Sequence, residues 1–410
     1  MILMQQSFNQ IQWLFPTSID WEQWKEQRAV EPFAPETIVY LNALSASILK
    51  DPLARAYPDV ITFAFFCRKA NINQLAERYT SEEIRLGRGL AFHIAPSNVP
   101  INFGYSLVAG LLAGNYNVVR VSSKPFQQVD IVLKHMKVIA PEYSEVSRRI
   151  AIVRYEHESN ANDIFSAACH TRIIWGGDAT IAKVRQSPIS ARSYDICFAD
   201  RYSLAAINAD ELVKEQDMSQ LAERFYNDTY LFDQNACSAP HLIIWTGAHV
   251  REAKERFWDV VQQYVDAHYQ LQDVLAVDKL TAFYRQSVAM DMKEIPTESN
   301  ILKRVELKIL PNEIDDYRCA GGYFSEYTAQ SLDEIAPIVK NRYQTLAYYG
   351  YSKEDLQSFV TRNKLVGIDR IVPIGNTTVF SLIWDGYDLI KQMSRIININ
   401  GMEFLSLDFC

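Results

Sequence analysis

The chain has 410 residues, 48% of them hydrophobic and 22% charged, with 15 Gly and 15 Pro. Such proportions belong to globular proteins and exclude disordered, collagen-like and disulfide-stapled classes; at this length one core stops growing, so two packed domains are expected. The net charge of −8, spread along the chain, favours solubility and argues against non-specific nucleic-acid binding.

The N-terminal stretch MILMQQSF lacks the basic region of a signal peptide. No apolar run approaches the roughly 20 residues needed to span a bilayer. Six cysteines (Cys67, Cys169, Cys197, Cys237, Cys319 and Cys410) stand singly, without a CxxC pair. That usage suits a reducing compartment, and a cytoplasmic location is expected.

Residues 1–88 read as mainly helical. From Gly89 the pattern alternates: strand Gly89–Pro96, helix Val99–Ala113 stopped by Gly114-Asn115, strand Asn117–Ser123, helix Phe126–Ala140. Strand Arg149–Tyr155, helix Asn162–Cys169 and strand Thr171–Trp175 follow, then Gly176-Gly177-Asp178 opening a helix. Strands alternating with helices imply parallel pairing, a doubly wound α/β sheet over residues 89–208. Beyond Asn208 come a helical stretch (Asp210–Tyr230), the loop DQNACSAP, strand His241–Thr246 and a long helix from Val250. A second α/β domain over residues 209–390 is expected, with a tail over 391–410.

Four segments carry chemistry. HIAPSNVP (residues 93–100) ends a strand, where open parallel sheets collect ligands; its Ser97-Asn98 pair can hold an amide aimed at an oxyanion, or simply cap the next helix. VVRVSSK (residues 118–124) offers Arg120, Ser122, Ser123 and Lys124 to a ribose 2′-phosphate. A cofactor lacking that phosphate calls for an acidic residue there, and none is present. A solvated basic strand end is the equal alternative for this segment in isolation.

WGGDAT (residues 175–180) puts Gly176 and Gly177 at a helix start, where backbone N–H groups welcome a pyrophosphate, or where Asp178 acts only as a cap. DQNACSAP (residues 233–240) sets Cys237 in a polar loop with small neighbours, placed to react as a thiolate. A lone Cys is otherwise a small buried hydrophobe, which is how Cys169 and Cys197 read. His241 is the one sequence-near base for Cys237, and its place at a strand start reads as structural. No HExxH, paired Cys/His spacing or carboxylate cluster suggests a metal.

Together HIAPSNVP, GLLAGNYNVVR, WGGDATI, DQNACSAPHLIIW and GIDRIVPIG…WDGYDLI resemble the LuxC-type acyl-CoA reductases, a branch of the aldehyde dehydrogenase superfamily. The resemblance runs from about Gly89 to about Arg395. It implies an aldehyde dehydrogenase-like fold of two doubly wound α/β domains, one binding cofactor and one catalytic, with residues 1–88 joining the first.

The resemblance makes Cys237 the acylated nucleophile and Asn98 the oxyanion-hole amide. It places Arg120, Ser123, Gly177 and Asp178 around NADPH, and Ser97, Ser122, Lys124 and Gly176 are expected to line the same cofactor. Ser123 stands where NAD-dependent relatives often carry glutamate. The stretch SYDICFADRYS lacks the glutamate that activates water in oxidising relatives, which favours reduction of an acyl thioester to an aldehyde. The family often receives its acyl group from an activating synthetase, so the donor is acyl-CoA or an acyl-protein. Superfamily members assemble through a C-terminal strand, and Ile397–Phe409 alternates enough to supply one, implying a homo-oligomer.

Two rivals stay open. One is an NADP-dependent aldehyde dehydrogenase running oxidatively. The other is a cofactor-free acyltransferase using Cys237, which leaves Arg120 and the glycines without a role.

Overall fold

In the computed structural model, which describes residues 11–80, 83–156, 159–297 and 299–399, the apolar runs become strands of two mainly parallel sheets. The chain divides into two units. One is built from both chain ends, up to Ala199 and from Tyr387 onward, and the other from Asp200–Gly386.

Up to Ala199 the strands of the first unit are β1 (Gln12–Phe15), β2 (Ile84–Gly87), β3 (Leu90–Ile94), β4 (Tyr116–Arg120), β5 (Ile150–Arg154), β6 (Thr171–Trp175) and β7 (Tyr194–Phe198). The main sheet has the order β1-β5-β4-β3-β6-β7. From β3 to β7 all neighbours are parallel, and β1 closes the edge antiparallel to β5. Every residue of β3, β4 and β6 is buried, as strands covered on both faces require.

The chain winds outward from β3 to β5, then returns past β3 to β6. The reversal leaves a crevice beyond the carboxyl ends of β3 and β6. The helix Gln127–Ile139 buries Val129, Val132, Leu133 and Met136, spaced three and four apart on one face. Each such side chain contributes about 1.5–3 kcal/mol on burial. Gly114 is required where it stands: its φ is +87°, and a Cβ would meet the Val30 carbonyl oxygen at 2.1 Å.

Residues 11–88 are integral to this unit. They supply the edge strand β1 and the helix Pro35–Lys50, which is tied to the helix carrying His135 by a Ser47–His135 hydrogen bond of 2.7 Å. Near the other chain end, the strand Ser394–Ile397 pairs antiparallel with β2 of the same chain. Most of the expected oligomerisation strand, with Cys410, lies outside the described residues.

The second unit contains β8 (Tyr202–Asn208), β9 (Pro240–Thr246), β10 (Met292–Ile295), β11 (Lys303–Leu307), β12 (Tyr323–Thr328), β13 (Tyr343–Tyr349) and β14 (Arg370–Pro373). Their order is β10-β11-β12-β9-β8-β13-β14, parallel throughout except for β10. The expected boundary at residue 208 therefore moves to residue 199, because β8 hydrogen-bonds to β9 and β13. The second unit is also an insertion rather than a simple successor, since the chain returns to the first unit at Tyr387.

Its core is aromatic. Phe257 meets Trp245 and Trp258 edge-on at 5.7 and 5.0 Å, and Phe225 meets Phe324 at 5.3 Å. Such pairs add about 0.5–1.5 kcal/mol each beyond their buried area. Among the described residues, no helix is long and apolar enough to cross a membrane.

Candidate active site

In the first unit, Ser97 and Asn98 follow β3 in an exposed bend rather than opening a helix. The next helix begins at Asn102, with Ile101 at its N-cap and no side-chain cap, so neither residue plays the capping role. The proline-flanked turn postpones the helix by three residues from its expected start at Val99. The crevice side is backed by a closed hydrogen-bond chain: Trp175 Nε1 donates to Ser106 Oγ (3.0 Å), Ser106 meets His93 Nδ1 (2.7 Å), and His93 Nε2 meets Asn117 Oδ1 (3.0 Å). Burial holds the His93 imidazole neutral, with its pKa pulled down to about 4.

Arg120 is the last residue of β4 and is buried at 6% exposure, its guanidinium 5.0 Å from the Tyr155 ring centroid. One guanidinium nitrogen donates to the Tyr155 carbonyl at 3.3 Å, while Nε has no hydrogen-bond partner. Ser123 Oγ is buried and unpartnered too. Ser122 Oγ accepts from the Lys124 N–H at 3.1 Å, leaving the Lys124 side chain exposed.

After β6, Gly177 is the N-cap of the helix Asp178–Val184, and no side chain caps it. Asp178 is therefore not the cap. A Cβ at Gly177 would meet nothing within 4 Å, so the space above this turn is open. The unit thus brings Arg120, Ser123 and the Gly176-Gly177 turn to the carboxyl ends of neighbouring strands, beside the Ser97-Asn98 bend. Unpartnered buried donors and an open glycine turn fit the phosphates and ribose of a dinucleotide.

In the second unit, Cys237 sits three residues before β9. The loop reaches it through two consecutive left-handed residues, Asp233 (φ 53°) and Gln234 (φ 61°). Gln234 anchors that turn: its Nε2 donates to the Pro240 and Tyr323 carbonyls, and its Oε1 accepts from the Gly322 and Tyr323 N–H groups, all within 3.1 Å. The Ser203 hydroxyl donates to the Cys237 carbonyl at 2.7 Å. Every hydrogen-bonding capacity of the Gln234 amide is used, so the loop is pinned rather than free.

Gln344 Nε2 donates to the Cys237 sulfur at 3.3 Å and also to Asp385 Oδ1. Arg201 lies across from the other Asp385 oxygen at 3.8 Å. Burial and the Asp385 charge push the thiol up to about 11, while the Gln344 hydrogen bond and Arg201 act against them. Burial likewise raises Asp385 to about 6, against Arg201. The resting thiol is therefore protonated at neutral pH.

His241 serves no thiol. Its ring stacks on Tyr202 at 5.8 Å, its Nδ1 meets the Cys319 carbonyl at 3.1 Å, and burial pulls its pKa down to about 3. The aspartates of the SYDICFADRYS stretch are engaged elsewhere, Asp195 by Arg172 at 2.8 Å and Asp200 by Arg318 at 2.7 Å. Among the described residues, no group of His, Cys, Asp and Glu is arranged to hold a metal ion.

Sequence reasoning missed Gln344, Arg201 and the role of Asp385. The last lies inside the WDGYDLI segment that carried the resemblance, which was a signal without a stated role. Gln344 and Arg201 lie in no such segment.

The comparisons with known proteins agree with this architecture. The family model described as acyl-CoA reductase (LuxC) matches residues 29–396. The long-chain acyl-protein thioester reductase of Vibrio harveyi is 23% identical over 327 residues, and that of Photorhabdus luminescens 21% over 322, each alignment covering 77% of this chain. The chain spans 64% of the length of those relatives. Among solved structures, aldehyde dehydrogenase 21 of Physcomitrella patens superposes with a TM-score of 0.65 at 12% identity, covering 90% of this chain and 87% of that one. The 1-pyrroline-5-carboxylate dehydrogenase from Thermus with bound NAD gives 0.58 at 14%, covering 92% and 82%. The fold is that of the aldehyde dehydrogenases.

Proposed function

Since the chain belongs to the acyl-CoA reductase (LuxC) family, we propose that it reduces an acyl thioester to an aldehyde with NADPH, through an acyl group carried on Cys237. The observation that carries the reading is the Cys237 sulfur, fixed by a pinned loop and facing an N–H donor. The relatives named acyl-protein thioester reductases support the substrate class. A coenzyme A ester, a carrier protein or an activating synthetase can present the acyl group.

Cys237 loses its proton to water and attacks the carbonyl carbon, so that a C–S bond forms and the π electrons move to oxygen. The Cys237 N–H and the Asn98 amide are the assigned oxyanion donors, the latter on its motif alone; each such donor is worth about 3 kcal/mol. Collapse expels the donor thiolate and leaves the acyl-enzyme. The nicotinamide, when bound, supplies the hydride that reduces this thioester. The C–S bond then breaks, the aldehyde departs, and Cys237 recovers its electron pair.

Arg120 with Ser122, Ser123 and Lys124 is assigned the adenosine ribose and its 2′-phosphate, Gly176, Gly177 and Asp178 the pyrophosphate turn, and Ser97 the strand end beside them. The unpartnered Arg120 Nε and Ser123 Oγ support that assignment. So does the bound NAD of the Thermus relative, for a dinucleotide in general.

One observation favours a second reading. Asp385 is a carboxylate near the thiol, of the kind an oxidative aldehyde dehydrogenase uses to activate water. Both readings are separated by following cofactor absorbance with wild type and Cys237→Ala. Thioester-dependent NADPH consumption that vanishes in the variant is expected. Aldehyde-dependent NADP reduction with no thioester reaction would establish oxidation instead, and silence with every acyl-CoA and acyl-protein would overturn the reductase reading. Assembly into at least a dimer is also proposed, and a monomer mass in light scattering would reject it.

A further inference from the structure

Gln344 is the second residue of β13 and is buried at 1% exposure. Its Nε2 carries two hydrogens, and both are used: one on the Cys237 sulfur at 3.3 Å, one on Asp385 Oδ1. The Thr345 hydroxyl donates to its Oε1 at 3.3 Å. An ionised carboxylate only accepts, so Asp385 dictates which end of the amide faces it. A flipped amide would set Oε1 against both the carboxylate and the sulfur lone pairs.

Asp385 is itself held in place. Its backbone is left-handed (φ 49°), a conformation Asp tolerates, and Arg201 faces its outer oxygen at 3.8 Å. Arg201 also reaches Asp369 at 3.7 Å and donates to the Asn341 carbonyl at 2.5 Å.

We propose that Gln344 stabilises the Cys237 thiolate, both when it forms for attack and when it is expelled in the last step, and that Asp385 is the positioning residue that keeps the Gln344 amide in its donating orientation. The inference rests on Cys237 being the reacting thiol of the proposed function. In the first event the S–H bond breaks and the proton passes to water; in the last, the C–S bond breaks with its electron pair returning to sulfur. At both moments the charge sits on sulfur, where an N–H donor helps and a bare carboxylate harms. Asp385 thus opposes the thiolate by its charge and assists it through the amide it orients. The direction of each influence on the thiol matches the geometry.

The test is the pH dependence of Cys237 alkylation by iodoacetamide in the folded chain, read by peptide mapping, which needs no substrate and no cofactor. A hydrogen bond to a charged group is worth about 1.5–3 kcal/mol, so Gln344→Met should slow alkylation at pH 8 by about tenfold or more and move its midpoint upward. Gln344→Glu, nearly isosteric, keeps the packing and should slow it further. An unchanged midpoint in both variants overturns the role of Gln344.

For Asp385, the asparagine variant is compared in two backgrounds. With Met at position 344 only the charge effect remains, and Asp385→Asn should speed alkylation. With Gln344 present the gain should be smaller, because the amide loses its fixed orientation. Equal effects in both backgrounds would reduce Asp385 to a charge and overturn its positioning role. Should the reductase reading fail, NADPH consumption is absent while this alkylation pattern stands.

Discussion

In the first unit, the exposed Asn98, the unpartnered Arg120 Nε and Ser123 Oγ, and the open turn at Gly177 end or follow β3, β4 and β6. In the second, the thiol and its neighbours precede or begin their strands: Cys237 before β9, Ser203 at the start of β8, Gln344 at the start of β13. Apart from the edge strands β1 and β10 each sheet is parallel, so these residues lie at the carboxyl end of the first sheet and at the amino end of the second. The carboxyl ends lead into helix N-termini and glycine turns, a backbone-rich edge suited to holding an anionic ligand. The amino ends are met by incoming loops, and the first side chains of β8, β9 and β13 are buried. A nucleophile that must be aimed and electrostatically tuned is built there from side chains.

The comparison can be sharpened through two buried histidines at the working ends of the two sheets. His93 is the penultimate residue of β3, and His241 the second of β9. Both titrate near 6.5 in the unfolded chain, but in the fold at about 4 and about 3, burial being the main cause. Below pH 6.5 the unfolded chain binds protons that the native one refuses, so stability falls with falling pH through this window. Each tenfold loss of proton affinity is worth about 1.4 kcal/mol, so each histidine contributes a few kcal/mol of acid destabilisation. Urea unfolding at pH 7 and pH 4.5, a window that lies above both native values, should show a similar flattening of this slope in His241→Asn and in His93→Asn. Equal slopes in wild type and variants would refute it.

Breaking the carboxyl-end site should act on turnover. Asn98→Ala should lower kcat for thioester reduction by about 10²–10³-fold, the cost of one oxyanion donor. Alkylation of Cys237 should be unchanged, which separates Asn98 from Gln344. A turnover within twofold of wild type would remove Asn98 from the mechanism.

The same asymmetry decides what could be read from the chain. Strands β3, β4 and β6 were visible as short apolar runs, and their ends as Pro, Ser and Gly clusters, because a parallel strand and its following turn are local signals. The stop at Gly114 was legible for the same reason. The boundary was not: β8 is apolar like its predecessor β7, and only long-range pairing assigns it to the second sheet. Cys237 stood out by its loop, but Gln344 and Asp385 lie 107 and 148 residues away by their numbering and meet it only when β8, β9 and β13 align. Arg201 and Asp385 look like ordinary surface charges until the fold buries Asp385 and sets Arg201 across from it, and nothing within a local window marks such a pair.

The smallest expected effect concerns cofactor choice at the carboxyl ends. Arg120 already has a use without any ligand, lying over Tyr155 and donating to its carbonyl at 3.3 Å. If that use were all, Arg120→Ala would loosen the strand end and weaken NADPH and NADH alike. The unpartnered Nε argues otherwise, since a buried N–H left empty costs about 1–3 kcal/mol that a phosphate oxygen can recover. Arg120→Ala should therefore raise KM for NADPH by about tenfold and leave KM for NADH nearly unchanged. Ser123→Glu should narrow the preference from the other side, placing a negative charge against the 2′-phosphate and an acceptor beside a free 2′-hydroxyl. An equal rise for both cofactors in Arg120→Ala would make this arginine a structural residue and leave the carboxyl ends without a phosphate reader.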